Sequence, residues 1–283
     1  MIGTGLLIKE MTEIHLPERN INLVRSGWGD SAVDDVSVYK IVYDSDGVNV
    51  DGYLAHPKDL TRQYPLVIWN RGGNHKAGLI DEFLAQGMYG EIASWGYVVL
   101  ASQYRKKEEF GGADVDDILN LIPLAETLDY CDTDNIGMEG WSRGGMMAYK
   151  VLTRTDRIKC SVIISGLADL KRNEDMRNDL DYIYKILFGE GADEEEFEQR
   201  KKDRSAVYFY KDINKDTAIL LIHGTGDRKI SHRDSIDMYE KLKSEGITCE
   251  LVLIENGDHY LKKDKKRVAQ LRKEWFDKYL KGN

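Results

Sequence analysis

Gly140-Trp141-Ser142-Arg143-Gly144 sets a serine between two glycines in the pattern G-x-S-x-G. That spacing suits a sharp strand-to-helix turn that lifts a serine hydroxyl above a sheet, with glycine where a larger side chain would collide. A serine hydroxyl is a weak nucleophile until a neighbouring base takes its proton. Of the six histidines, His259 has the placement for that base, because it follows Asn256-Gly257-Asp258 just past the last apolar run. His223 ends the preceding apolar run beside Gly224 and reads as a packing or loop-bracing residue. His15, His56, His75 and His232 have no comparable placement. Such a base needs a carboxylate to hold its tautomer and stabilise the imidazolium. Asp227, after His223-Gly224-Thr225-Gly226, is favoured over Asp258 and Glu255. The chain order Ser142, Asp227, His259 is then Ser…Asp…His.

The chemistry these residues suit is acyl transfer. Ser142 would attack an ester or amide carbonyl, and His259 would then activate water to release the acid. The tetrahedral intermediate needs two donors for its oxyanion. One is expected from the backbone N–H of Arg143. The other is expected from Asn70-Arg71-Gly72-Gly73-Asn74, where Gly72 and Gly73 let the backbone approach a substrate closely. The Arg71 and Arg143 side chains flank this hole. Either could grip a substrate carboxylate through its guanidinium fork, or be a solvated or salt-bridged group of little net value. Trp141, next to the nucleophile, is the other expected substrate contact.

The surrounding pattern supplies elements to position these residues. Val36 to Tyr43 alternates apolar and polar residues, Ser45-Asp46-Gly47 turns, and Val48 to Ala55 returns as an antiparallel strand. Short buried strands are expected at Leu66–Trp69, Tyr97–Ala101, Asn135–Gly140, Cys160–Ile164, Ala218–Ile222 and Cys249–Ile254. Helices are expected between them: Ile80 to Trp95; a segment through Ile118, Leu121, Ile122, Ala125 and Leu128 that Pro123 should kink or shorten in its first half; one from Arg143; one capped by Ser231 and running to Gly246; and a last one through Val268, Leu271, Trp275 and Tyr279. The fold class is therefore α/β, a mostly parallel eight-stranded sheet with helices on both faces. Each candidate residue falls at the carboxyl end of a strand, where such sheets place their chemistry. A single domain over 1–283 is expected, with a small helical cap inserted at 170–215. That stretch carries Tyr182, Tyr184, Phe188, Tyr208, Phe209 and Tyr210, which read as cap core, and Asp193-Glu194-Glu195-Glu196, which reads as an exposed helix start.

Hydrophobic residues make up 42% of the 283, enough for a sizeable core. The net charge of −9 argues against nucleic acid or an anionic membrane as partner. The basic run Lys262, Lys263, Lys265, Lys266 and Arg267 reads as a solvated helix face. Cys131, Cys160 and Cys249 lack metal-ligand spacing and fit a reducing cytoplasm. No signal peptide is read in Met1 to Lys9, and no run approaches the roughly 18 apolar residues of a membrane helix. The expected partner is a small-molecule or short-peptide substrate, and the expected localisation is cytoplasmic.

Gly140-Trp141-Ser142-Arg143-Gly144-Gly145 resembles the G-W-S-x-G-G elbow of the prolyl oligopeptidase family of serine peptidases, within the α/β-hydrolase superfamily. His223-Gly224-Thr225-Gly226-Asp227 resembles that family's H-G-x-x-D acid loop, and Gly257-Asp258-His259 its base loop. Asp114-Val115-Asp116-Asp117-Ile118 is similar to a helix common in these domains. The resemblance runs from about Val48 to the C-terminus. It implies a Ser142/Asp227/His259 triad, a peptidase or esterase activity, and no metal or organic cofactor. The chain departs from the family pattern in three places. Arg71-Gly72-Gly73-Asn74 stands where His-Gly-Gly-Pro or a tyrosine-containing loop is common, and Arg143 stands where tyrosine is frequent. Some 35 residues precede Val36, too few for the propeller of the larger members. Two rival readings fit the same fold. One is a lyase or a dienelactone-type hydrolase, the latter marked by a cysteine nucleophile; the other is a non-catalytic binding protein, marked by a broken triad.

Overall fold

A computed structural model describes residues 7–282 of the chain. Met1 to Leu6, part of the segment read as lacking a signal peptide, and Asn283 lie outside the described residues.

The chain begins with an edge strand, β1 (Ile8–Glu13), then the helices α1 (Glu18–Trp28) and α2 (Ser31–Asp34). β2 (Val36–Ser45) and β3 (Val48–Pro57) form a hairpin across Asp46-Gly47, whose φ values of 53° and 82° suit a tight turn. The alternating half follows: β4 (Tyr64–Asn70), α3 (Glu82–Ser94), β5 (Val98–Ser102), α4 (Asp114–Leu119), α5 (Leu121–Ala125), β6 (Cys131–Trp141), α6 (Arg143–Leu152) and β7 (Ile158–Ile164). Four short helices come next: α7 (Leu170–Met176), α8 (Asp179–Phe188), α9 (Glu194–Lys202) and α10 (Ala206–Phe209). β8 (Ala218–Gly224), α11 (Arg233–Ser244), β9 (Cys249–Ile254) and α12 (Lys265–Phe276) complete the order.

The strands form one sheet in the order β1-β2-β3-β5-β4-β6-β7-β8-β9. β1, β2 and β3 pair antiparallel, and β3 also pairs antiparallel with β5. All pairs from β5 through β4 to β9 are parallel. The sheet thus has nine strands rather than the eight expected. The extra one is β1, whose Ile-Lys-Glu-Met-Thr-Glu sequence lies on the sheet edge with nearly every residue exposed. With no buried face it carries no apolar alternation to read.

Alternate residues of each central strand enter opposite layers. Leu66 and Ile68 join a core with Ile118, Met146, Tyr149, Met238 and Leu242, under α4, α6 and α11. Val67 and Trp69 join a second core with Tyr89, Ile92, Trp275 and Phe276, under α3 and α12. The segment around Pro123 is interrupted at Asn120, where α4 ends before α5 begins, so its first half is shortened, one of the two effects expected of Pro123. The helix expected to be capped by Ser231 runs from Arg233 to Ser244, with His232 at the cap position. Ser231 Oγ still accepts a hydrogen bond from the Arg233 N–H at 3.3 Å.

Candidate active site

The elbow follows from close backbone packing. Ser142 stands between β6 and α6 with φ 56° and ψ −120°, a conformation costly for a residue with a side chain and found where surrounding contacts over-determine it. Two of those contacts are the Ser142 N–H donating to the Ile164 carbonyl at 3.0 Å and the Ser142 carbonyl accepting from Gly145 at 2.9 Å. A Cβ on Gly144 would come within 2.0 Å of the Asn70 carbonyl oxygen, so only glycine lets α6 start so close to β4. Ser142 is half-buried, and no hydrogen bond joins its Oγ to His259 in this structure. Such contacts are often loose until substrate binds.

β8 and β9 end side by side, which brings their following loops together. Gly226 donates to the Gly257 carbonyl at 3.0 Å, and Asn256 donates to Thr225 Oγ1 at 2.8 Å. Across this junction His259 Nδ1 meets Asp227 Oδ2 at 2.7 Å. The other carboxylate oxygen, Oδ1, accepts the backbone N–H groups of Lys229 at 2.7 Å and Ile230 at 3.1 Å. Burial pushes the Asp227 carboxyl up, but hydrogen bonds from His223, His259 and Lys229 outweigh it and hold the group far below the usual carboxylate range. Asp258 is instead used locally, accepting from the Lys262 N–H at 3.1 Å.

The sequence reading of His223 as a brace acquires detail here. His223 is fully buried, with Nδ1 at 2.7 Å from Ser235 Oγ and Nε2 at 3.2 Å from Asp227 Oδ2. Asp227 Oδ2 therefore faces two imidazoles.

Gly72 lies against Ser142. A Cβ there would stand 3.0 Å from the Trp141 carbonyl oxygen and 3.2 Å from Ser142 Cβ. Gly73 has φ 66° and packs its Cα face against Gly78. The loop after β4 and the first turn of α6 are thus adjoining surfaces, as an oxyanion site needs. The Trp141 indole points away from that gap, donating through Nε1 to Glu139 Oε1 at 3.0 Å beside Trp69 Nε1 at 2.8 Å.

Arg71 and Arg143 are salt-bridged, as one of the two expectations had it, but inside the protein rather than at its surface. Their side chains are 0% and 2% exposed. Arg71 Nη2 donates to Glu108 Oε1 at 2.5 Å and to the Gln103 carbonyl at 2.7 Å. Arg143 pairs with Glu108 Oε2 and with Asp114 Oδ2. The guanidiniums are turned into the protein because two buried carboxylates await them, so a substrate carboxylate is not what they face. Glu108 escaped the sequence reading because it sits in Lys106-Lys107-Glu108-Glu109, which looks like a solvated charge run. The available signal was two arginines beside glycines at a nucleophile, since buried cations need anionic partners.

A cavity of about 570 Å³ opens beside this loop, lined by His15, Lys40, Asp51, Tyr53, Ile80 and Gln103 among others; none of Ser142, Asp227 and His259 lines it. Among the described residues, no group of three or more His, Cys, Asp or Glu side chains is arranged to hold a metal. No described helix is long and apolar enough to cross a membrane.

Comparison with known proteins agrees with this architecture. The uncharacterized peptidase YtmA of Bacillus subtilis is 29% identical over 252 residues, covering 85% of this chain and 93% of its own length. The uncharacterized peptidase YuxL of the same organism is 25% identical, covering 83% of this chain but 38% of its own. The solved structure of Pyrococcus horikoshii acylaminoacyl peptidase superposes with a TM-score of 0.76 at 20% identity, over 95% of this chain and 45% of that one. The chain thus spans nearly all of one relative and less than half of the two others. The sequence profile of the Prolyl oligopeptidase family, Peptidase_S9, matches residues 93–283, which include Ser142, Asp227 and His259. With its α/β-hydrolase sheet and that match, the chain belongs to the prolyl oligopeptidase family of serine hydrolases.

Proposed function

We propose that Ser142, His259 and Asp227 form the catalytic triad of a hydrolase that cleaves ester or peptide bonds through an acyl-enzyme. The observation that carries this reading is the 2.7 Å contact of His259 Nδ1 with a buried, ionised Asp227, beyond the carboxyl ends of the parallel strands, as is the Ser142 elbow. With Nδ1–H donated to Asp227, Nε2 is left as the free lone pair that can take the Ser142 proton. Ser142 Oγ then bonds to the carbonyl carbon, and the oxyanion is received by the Arg143 and Gly73 backbone N–H groups. His259 returns the proton to the leaving alcohol or amine. Water, deprotonated by His259, next attacks the acyl carbon, and collapse of the second tetrahedral intermediate restores Ser142.

Residues 170–215 serve in this reading as a cap over the site within one 1–283 domain. Phe110, Tyr184, Phe188 and Phe197 support that role by packing ring to ring at centroid distances of 5.4–6.4 Å, which ties α8 and α9 to the loop before α4. The likeness to an acylaminoacyl peptidase fold favours short acylated peptides or small acyl esters as substrates. The buried free thiols Cys131, Cys160 and Cys249 suit a cytoplasmic enzyme.

The test is a panel of p-nitrophenyl esters and aminoacyl p-nitroanilides assayed with wild type and Ser142→Ala. Turnover should vanish in the variant with the fold intact. More than a few per cent of wild-type rate in Ser142→Ala would rule the assignment out.

A further inference from the structure

The buried charges around Glu108 form a lattice whose outer edge is the loop after β4. Glu108 Oε1 receives Arg71 and Oε2 receives Arg143, so one carboxylate bridges two guanidiniums. Arg71 Nη1 donates to the Gly72 carbonyl at 3.2 Å, and Arg143 Nη1 to the Gly73 carbonyl at 3.0 Å. Tyr104 completes the frame. Its hydroxyl donates to the Arg71 carbonyl at 3.0 Å, and its ring lies 4.5 Å from the Arg71 guanidinium carbon and 4.7 Å from that of Arg143.

Two cations this close, out of water, repel strongly unless an anion lies between them. Asp114 pairs with Arg143 alone, which leaves Glu108 as the bridge. Burial pushes the Glu108 carboxyl up, but Arg143 and Arg71 outweigh it and hold it below its usual range, so it is charged at neutral pH. A peptide unit is planar and trans. Pinning the Gly72 carbonyl on Arg71 therefore also fixes where the Gly73 N–H points.

We propose that Glu108 is a positioning residue for the oxyanion hole: by bridging Arg71 and Arg143 it locks the Gly72 and Gly73 carbonyls inward and so aims the Gly73 N–H at the oxyanion over Ser142. The inference rests on Ser142 being the nucleophile. Glu108 touches no reacting atom and acts through the two arginines and the glycine loop.

Glu108→Gln removes the bridging charge and puts an amide NH2 against one guanidinium. Active sites are counted with a fluorophosphonate taken to completion, and p-nitrophenyl butyrate hydrolysis is expressed per titrated site. The inference predicts that kcat per site falls about 10²-fold, the scale of a roughly 1 Å misplacement, while KM changes less than about threefold. The Ki of a trifluoromethyl ketone, which places an oxyanion in the same hole, should rise in proportion to the loss in kcat/KM. A merely structural Glu108 would lower the melting temperature and the number of titrated sites but leave kcat per site and the ketone Ki unchanged; that result overturns the inference. If Glu108→Gln does not fold, Glu108→Asp serves, since it keeps the charge but is one methylene short of bridging both arginines. Turnover that survives Ser142→Ala would remove the nucleophile reading and this inference together. Ser142-dependent turnover with an unchanged Glu108 variant would remove this inference alone.

Discussion

His223 Nε2 lies 3.2 Å from Asp227 Oδ2, the same oxygen that His259 Nδ1 meets at 2.7 Å. The backbone N–H groups of Lys229 and Ile230 hold Oδ1, so the carboxylate cannot rotate without losing two donors. In Asp227→Asn these donors would keep the amide oxygen at the Oδ1 position. The amide NH2 would then face both imidazoles and force His259 into the wrong tautomer. The expected result is a loss in kcat of up to about 10⁴-fold. Asp258→Asn should cost far less, and steady-state kinetics that reversed this ranking would move the acid to Asp258.

The same carboxylate predicts a pH dependence of stability. Its folded pKa is depressed, so its contribution is present above the unfolded value of about 3.9 and is lost as pH falls toward the folded one. Urea midpoints of wild type and Asp227→Asn should therefore lie clearly apart at about pH 5. The gap should narrow below about pH 4. A gap that widened as the pH fell from about 5 to about 3 would mean that Asp227 is not held ionised by the fold.

Gly72 leaves little space beside the nucleophile. The Cβ of Gly72→Ala would press on the Trp141 carbonyl oxygen at 3.0 Å and on Ser142 Cβ at 3.2 Å. A displacement of a few tenths of an ångström there should lower kcat at least about tenfold with a small change in melting temperature. Wild-type kcat in this variant would show that the Gly72 backbone takes no part in shaping the site.

Arg71→Ala should act through the fold. It leaves Glu108 facing Arg143 alone and strips the Gln103 carbonyl of its partner. Breaking a buried pair in this way costs about 3–5 kcal/mol. Activity toward acidic and neutral acyl esters should fall in parallel. A KM increase confined to acidic substrates would restore the carboxylate-binding reading.

Much of this was legible in the chain because each feature imposes a local pattern. Ala218–Ile222 is apolar because both faces are covered, Cys249–Ile254 keeps apolar residues although it is a partly exposed edge strand, and the loops that follow announce themselves with Gly224, Gly226 and Gly257. The elbow is legible because Gly144 has no alternative where it meets the Asn70 carbonyl. What escaped depends on tertiary partners. β1 has no buried face to stamp an alternation on it. Glu108 looks like its exposed neighbours until the fold sets it between Arg71 and Arg143, which are distant from it in sequence. The bridging oxygen of Asp227, shared by His223 and His259, is likewise visible only once β8, β9 and α11 are assembled.

The central claim is that Ser142 is the nucleophile, and covalent trapping tests it most directly. Wild-type protein is treated with a fluorophosphonate, digested and mapped by mass spectrometry. The account predicts one adduct per chain on Ser142, formed in step with the loss of esterase turnover and absent from Ser142→Ala. Complete inactivation with the adduct on another residue, or full turnover with Ser142 modified, would contradict it.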